Sequence, residues 1–218
     1  MKRLVLVAVL CAAVVAPAAH ATNECRGLMV CVPVAGPWVL TSSAEQVQYD
    51  LTCPKNYIVA GLDAELSVRG IDIGFVGALG APVNPGITTK RDAVFRGRLV
   101  RGRSGGASFR PHIGCVPASG GGQRVPTAYR AFPPIEAVDR QVKEVAASRD
   151  RVVTARCPAG ERLTSASHAI GFYGNAPPTA ARAGGILVTQ RVRNGIVALV
   201  IRSHVPAVVQ VNLLCSKR

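Results

Sequence analysis

Apolar and polar residues alternate with a period of two along much of this chain. Tyr49 and Leu51 lead into Cys53, Phe109, Pro111 and Ile113 into Cys115, Val153 and Ala155 into Cys157, and Val209, Val211 and Leu213 into Cys215. Alternation of this kind marks strands with one buried face. The pattern predicts strands at Trp38 to Thr41, Val47 to Thr52, Ile58 to Leu62, Ile71 to Val76, Ala93 to Arg101 and Ser108 to Cys115. In the second half it predicts Val152 to Arg156, Leu163 to Ala169, Ile186 to Val192, Ile196 to His204 and Val208 to Cys215. Clusters of Gly, Pro and Asn separate these runs. Asn194-Gly195 is the sharpest turn signal, because both residues accept the positive φ of a two-residue type I′ hairpin. One stretch, Ile135 to Ser148, is ambiguous. Val138, Val142 and Val145 fit helical spacing, yet Val142 stands 15 residues before Cys157 as Trp38 stands before Cys53, which favours a strand.

The cysteines repeat as a frame. Cys53-Pro54 precedes Cys115 by 62 residues, and Cys157-Pro158 precedes Cys215 by 58. At an offset of 100 the two closing strands match in alternate positions, and Leu99-Val100 falls on Leu199-Val200. Pro54 and Pro158 cannot donate to a ladder, so each should end its strand. Short strands at regular spacing imply an all-β fold. The expectation is two tandem, disulfide-closed, antiparallel β-sandwich modules at 22–117 and 135–218, joined by a linker at 118–134 that is rich in Gly, Ser and Pro.

Compartment follows from the first residues. Lys2-Arg3, the apolar run Leu4 to Val15 and Ala19-His20-Ala21 make residues 1–21 a signal peptide, so the mature chain should begin at Thr22 and be secreted, extracellular. That run is 12 residues long, too short for a span of roughly 20, so no transmembrane segment is expected. Cleavage removes Cys11 and leaves six cysteines, an even set suited to three bridges in an oxidising compartment. The repeat pairs Cys53 with Cys115 and Cys157 with Cys215, leaving Cys25 and Cys31 as a local clip. No close CxxC pair occurs, so no metal and no cofactor is expected.

The stretch Val153-Thr154-Ala155-Arg156-Cys157-Pro158-Ala159-Gly160, closed by Val211-Asn212-Leu213-Leu214-Cys215, resembles a type of secreted bacterial β-sandwich module with a Cys-Pro-x-Gly … Cys frame. The first half departs from it, with Asn56 in the glycine position. The resemblance implies secretion and a β fold. It transfers no active site.

Charge narrows the partners. The full chain carries +14, and loss of Lys2 and Arg3 leaves 24 basic residues against 12 acids, a net +12. Such a balance draws polyanions. Arg91, Arg96, Arg98, Arg101, Arg103 and Arg110 fall within 20 residues and are the candidate anion-binding set. If 93–101 and 108–115 form a hairpin, Arg101 to Gly106 is its basic tip, suited to phosphate or sulfate. An anionic cell-surface polymer is therefore the expected partner. Nucleic acid fits less well, because stacking rings are missing: Phe95 and Phe109 have inward parity. Trp38 reads as core, with Tyr57 and Tyr173 the exposed rings.

Catalysis has little to stand on. His112, His168 and His204 belong to no metalloprotease pattern. Asp63 and Glu65 share a strand face, with Asp72 nearby, and could hold calcium or act as paired acids. A loop at Pro82 to Lys90 could serve a protease inhibitor, although nothing selects that. A non-catalytic binding or structural protein is expected, with a secreted hydrolase as the alternative. A cleft joining His112 or His168 to carboxylates would favour the hydrolase.

Overall fold

The computed structural model describes residues 22–28, 30–76, 91–101, 106–118 and 138–217. The expected signal peptide, the 82–90 loop, Arg103 and nearly all of the expected linker lie outside these residues. Thirteen strands and one short helix make up the described fold. The first half holds β1 (Val32–Ala35), β2 (Trp38–Leu40), β3 (Val47–Thr52), β4 (Tyr57–Leu66), β5 (Ile71–Val76), β6 (Asp92–Leu99) and β7 (Ser108–Pro117). The second holds β8 (Val138–Ala147), β9 (Arg151–Arg156), β10 (Glu161–Phe172), α1 (Ala180–Gly184), β11 (Ile186–Arg193), β12 (Ile196–Ser203) and β13 (Ala207–Lys217). The ambiguous stretch is strand β8. Asn194 and Gly195 have φ of 52° and 73°, and Arg193 pairs with Ile196 across the turn, as the hairpin signal requires.

Every strand pairing is antiparallel. A seven-stranded sheet runs β1-β7-β2-β10-β13-β8, with β4 on the other edge of β7, while β3-β6-β5 and β11-β12-β9 form two three-stranded sheets. The hairpin expected between 93–101 and 108–115 is not formed. β6 pairs with β3 and β5, β7 pairs with β1, β2 and β4, and the chain between them crosses from one sheet to the other. Phe95 and Phe109 point inward from opposite layers and are fully buried in one core, so the two strands face each other across that core instead of sharing a ladder.

Both halves use one strand order, β3-β6-β5 beside β4-β7 and β9-β12-β11 beside β10-β13. Registers agree as well. Val47 faces Gly97 and Arg151 faces Ile201, each starting six residues ahead of its Cys-Pro. On this register Leu99 corresponds to Ser203 and Phe95 to Leu199, which replaces the alignment of Leu99 with Leu199. A β-bulge sits between Val59 and Gly61 opposite Cys115, and another between Leu163 and Ser165 opposite Cys215. All three expected bridges are present, Cys25–Cys31, Cys53–Cys115 and Cys157–Cys215.

Each small sheet covers the large one through its own core. Tyr49, Leu51, Phe95, Phe109 and Ile113 centre the first, and Val197, Leu199, Ile201, Val209, Val211 and Leu213 the second. Alternation along β13 separates them: Val209, Val211 and Leu213 enter the second core, while Gln210 and Asn212 turn the other way and meet β3. The two small sheets therefore lie against opposite faces of the large sheet. Among the described residues no helix is long and apolar enough to cross a membrane.

Candidate functional site

The described arginines of the first half do not converge. Arg96 and Arg98 alternate with the buried Ala93, Phe95, Gly97 and Leu99, so they project from the outer face of β6. Arg98 stands opposite Asp72, and Arg96 opposite Gln48. Asp50 and Asp92 share that face, and Arg140 of β8 reaches it, donating from Nη1 to Gln48 Oε1 at 3.1 Å. Arg91 donates to Cys53 O at 2.9 Å, and Arg101 is exposed just beyond β6. Arg110 is on the other layer, where Nε donates to Gly36 O and Nη1 lies 3.7 Å from Glu65 Oε1. Cations and carboxylates are mixed here, which weakens any pull on a polyanion.

The same face contains a titration of its own. Burial, with the nearby Asp92 charge, pushes the Asp50 carboxyl up to about 6, against the pull of Thr52 and Arg140. An unfolded aspartate titrates near 3.9, so the folded chain holds the extra proton between those values. Stability from this group is full below about pH 4 and is lost as pH rises through about 6, a change of up to about 3 kcal/mol. Asp50→Asn should therefore raise stability at pH 7 and flatten its fall between pH 4 and pH 7. Urea midpoints of both proteins at the two pH values check this, and parallel pH slopes would refute it.

His112 is brought to carboxylates. It is 5% exposed, its Nε2 lies 2.7 Å from Glu65 Oε1 off the ring N–H direction, and its Nδ1 is 3.7 Å from Glu24 Oε1. Glu65 and Asp63 line a cleft of about 500 Å3 with Thr22, Asn23, Trp38 and Asn175. Each acid has an internal task. Asp63 accepts the Asn23 N–H at 2.6 Å and the Ala64 N–H at 2.8 Å, and Glu24 accepts the Thr22 hydroxyl at 3.1 Å. Ser67 Oγ, also at the cleft, accepts the Ser108 N–H at 2.8 Å. Gly61 and Gly114, opposite each other in β4 and β7, leave a bare patch for the Glu24 main chain. A Cβ on either would fall 1.6 Å or 2.1 Å from Glu24 O. The arrangement fastens the Cys25–Cys31 clip to the sheet. Among the described residues no group of three or more His, Cys, Asp or Glu is placed to hold a metal.

The other expected residues are dispersed. His168 Nδ1 contacts Gln190 Oε1 at 3.0 Å between the layers of the second half, and His204 is exposed. Trp38 is buried, Tyr57 half-buried and Tyr173 exposed.

A different cationic surface forms on the outer face of β9-β12-β11. Arg156 and Arg193 flank Ile196 in one cross-strand row, Arg191 lies beside Ala198 and Thr154 in the next, and Arg202 faces Leu187 at the far end. All four guanidinium-bearing residues are exposed. Lys143 reaches the edge of the sheet, donating to Thr154 O at 3.3 Å. No described residue pointing out of this face is acidic. Asp150, at the end of β9, accepts the Ser203 N–H through Oδ1. No family model, curated protein or solved structure matches the chain. This sheet face thus gathers four exposed arginines with no outward acid among its described residues. Arginines spaced 156, 191, 193 and 202 look scattered in sequence. Only knowledge of the β9-β12-β11 register would have joined them.

Proposed function

We propose that this chain is a secreted, non-catalytic binding protein of two tandem disulfide-closed β-sandwich modules, holding anionic partners at or near the cell surface through arginine. Matching strand order, matching registers and bulges placed opposite both closing cysteines support the duplication, with modules at 22–117 and 135–218. Three disulfides support an oxidising compartment. The observation that carries the binding reading is the exposed face of Arg156, Arg191, Arg193 and Arg202 with no outward carboxylate. Guanidinium groups bind phosphate and sulfate through paired N–H donors. Against a hydrolase stands the use of Asp63, Glu65 and Ser67 in holding the clip and the strands.

Heparin chromatography of the mature protein tests this. Elution is expected well above about 0.15 M salt, the physiological range, and Arg191→Glu/Arg193→Glu should elute markedly earlier. Elution of the wild type at or below physiological salt would overturn the reading.

A further inference from the structure

We propose that the outer face of β9-β12-β11 docks on an anionic lipid bilayer, an inference that rests on the anion-binding reading and names its partner. Charge alone fits many polyanions. What selects a bilayer is the apolar surface between the arginines.

Along the middle strand β12 the outward residues are Ile196, Ala198, Val200 and Arg202, so three of four are aliphatic. Val152 and Leu187 extend this ridge to the neighbouring strands. Val152 is 65% exposed, Leu187 60% and Ile196 44%. Strands lie about 4.8 Å apart and residues on one face repeat every ~7 Å along a strand, so the face measures roughly 10 by 20 Å. Arginines rim it at both ends and along the β11 side. That combination suits the headgroup boundary, where aliphatic tips enter the acyl edge and guanidinium groups take lipid phosphates. A polysaccharide or nucleic-acid strand would leave the aliphatic ridge against polar groups, and the face offers no aromatic ring for stacking. The partner is therefore an anionic phospholipid surface. It requires no membrane-spanning element, only contact from one side.

The test is co-sedimentation of the mature protein with vesicles of phosphatidylcholine alone and with about one part in four phosphatidylglycerol. Binding is expected to the anionic vesicles only. Each basic residue near such a surface contributes about fivefold, so Arg191→Glu/Arg193→Glu should weaken binding by ~25-fold or more. Lys55→Glu/Arg69→Glu changes net charge equally but lies in the first half, and should cost far less. Val152→Ser/Leu187→Ser should weaken vesicle binding severalfold while leaving heparin elution unchanged. These side chains are exposed, so unaltered thermal midpoints are expected for every variant. Heparin retention without vesicle binding would overturn the bilayer while leaving the anion-binding reading in place. Loss of both would overturn both. Vesicle binding unmoved by the serine pair would also overturn the inference, since charge alone would then explain it.

Discussion

Replacing Cys53 and Cys115 together by alanine should destabilise the chain more than any other disulfide removal. The bridge closes a separation of 62 residues, for which the chain-entropy relation gives about 4 kcal/mol. Both sulfurs lie in the first core, with exposures of 1% and 0%, so their removal also forfeits packing. Domains usually hold about 5–15 kcal/mol in total, which makes this loss a large fraction. With a denaturant slope of about 2 kcal/mol per molar, the urea midpoint should fall by roughly 2 M. The same change at Cys157 and Cys215, separated by 58 residues, has a similar entropic part but less packing loss, because Cys157 is half-buried. The Cys25–Cys31 clip spans only six residues and should contribute about 2 kcal/mol. Equal midpoints for all three double variants would show that loop length and burial do not govern these bridges.

What the chain reveals by inspection and what it hides divide along a physical line. Val47–Thr52 is legible because its core-facing side chains are apolar and the others polar, so hydropathy alternates, and Ile196–Ser203 because a continuous apolar run follows the Asn194-Gly195 turn. β8 is harder because both of its sides have partners. Val145 packs on the second core, while Glu144 and Arg140 face β3 through Tyr49 and Gln48. Its valines fit either period for that reason. β1 escapes detection because it is four residues long, mostly exposed, and interrupted by Pro33, which an edge position tolerates. The arginines mislead for a related reason. Neighbours in sequence such as Arg98 and Arg110 end on different layers, whereas Arg156 and Arg193 meet across Ile196. Register between strands creates the surface, and no local pattern encodes that register.

The same lesson governs the contact between the halves, where the second large loss is expected. β3 is the edge of its sheet, so its outward main-chain groups lack a strand partner. Two side-chain amides of β13 supply one. Gln210 Oε1 accepts the Asp50 N–H at 2.6 Å, its Nε2 donates to Asp50 O at 2.9 Å, and Asn212 Nδ2 donates to Gln48 O at 3.3 Å. Gln210 is 3% exposed and Asn212 2%, so water cannot take their place. Gln210→Ala strands one buried donor and one buried acceptor, each costing about 1–3 kcal/mol. The expected loss is about 3 kcal/mol or more in urea unfolding, against almost none for Thr189→Ala on the exposed face. Gln210→Glu offers a sharper comparison. A carboxylate can still accept the Asp50 N–H but cannot donate to Asp50 O, and it brings a charge into a buried seam. Protonation restores a donor and removes the charge, so this variant should recover stability as pH falls toward 4, whereas Gln210→Ala should lose the same increment relative to wild type at pH 4 and pH 7. If Gln210→Ala unfolds at the wild-type midpoint, the amide does not substitute for a strand, and the halves are held together by the Tyr49 and Glu144 contact and apolar packing instead.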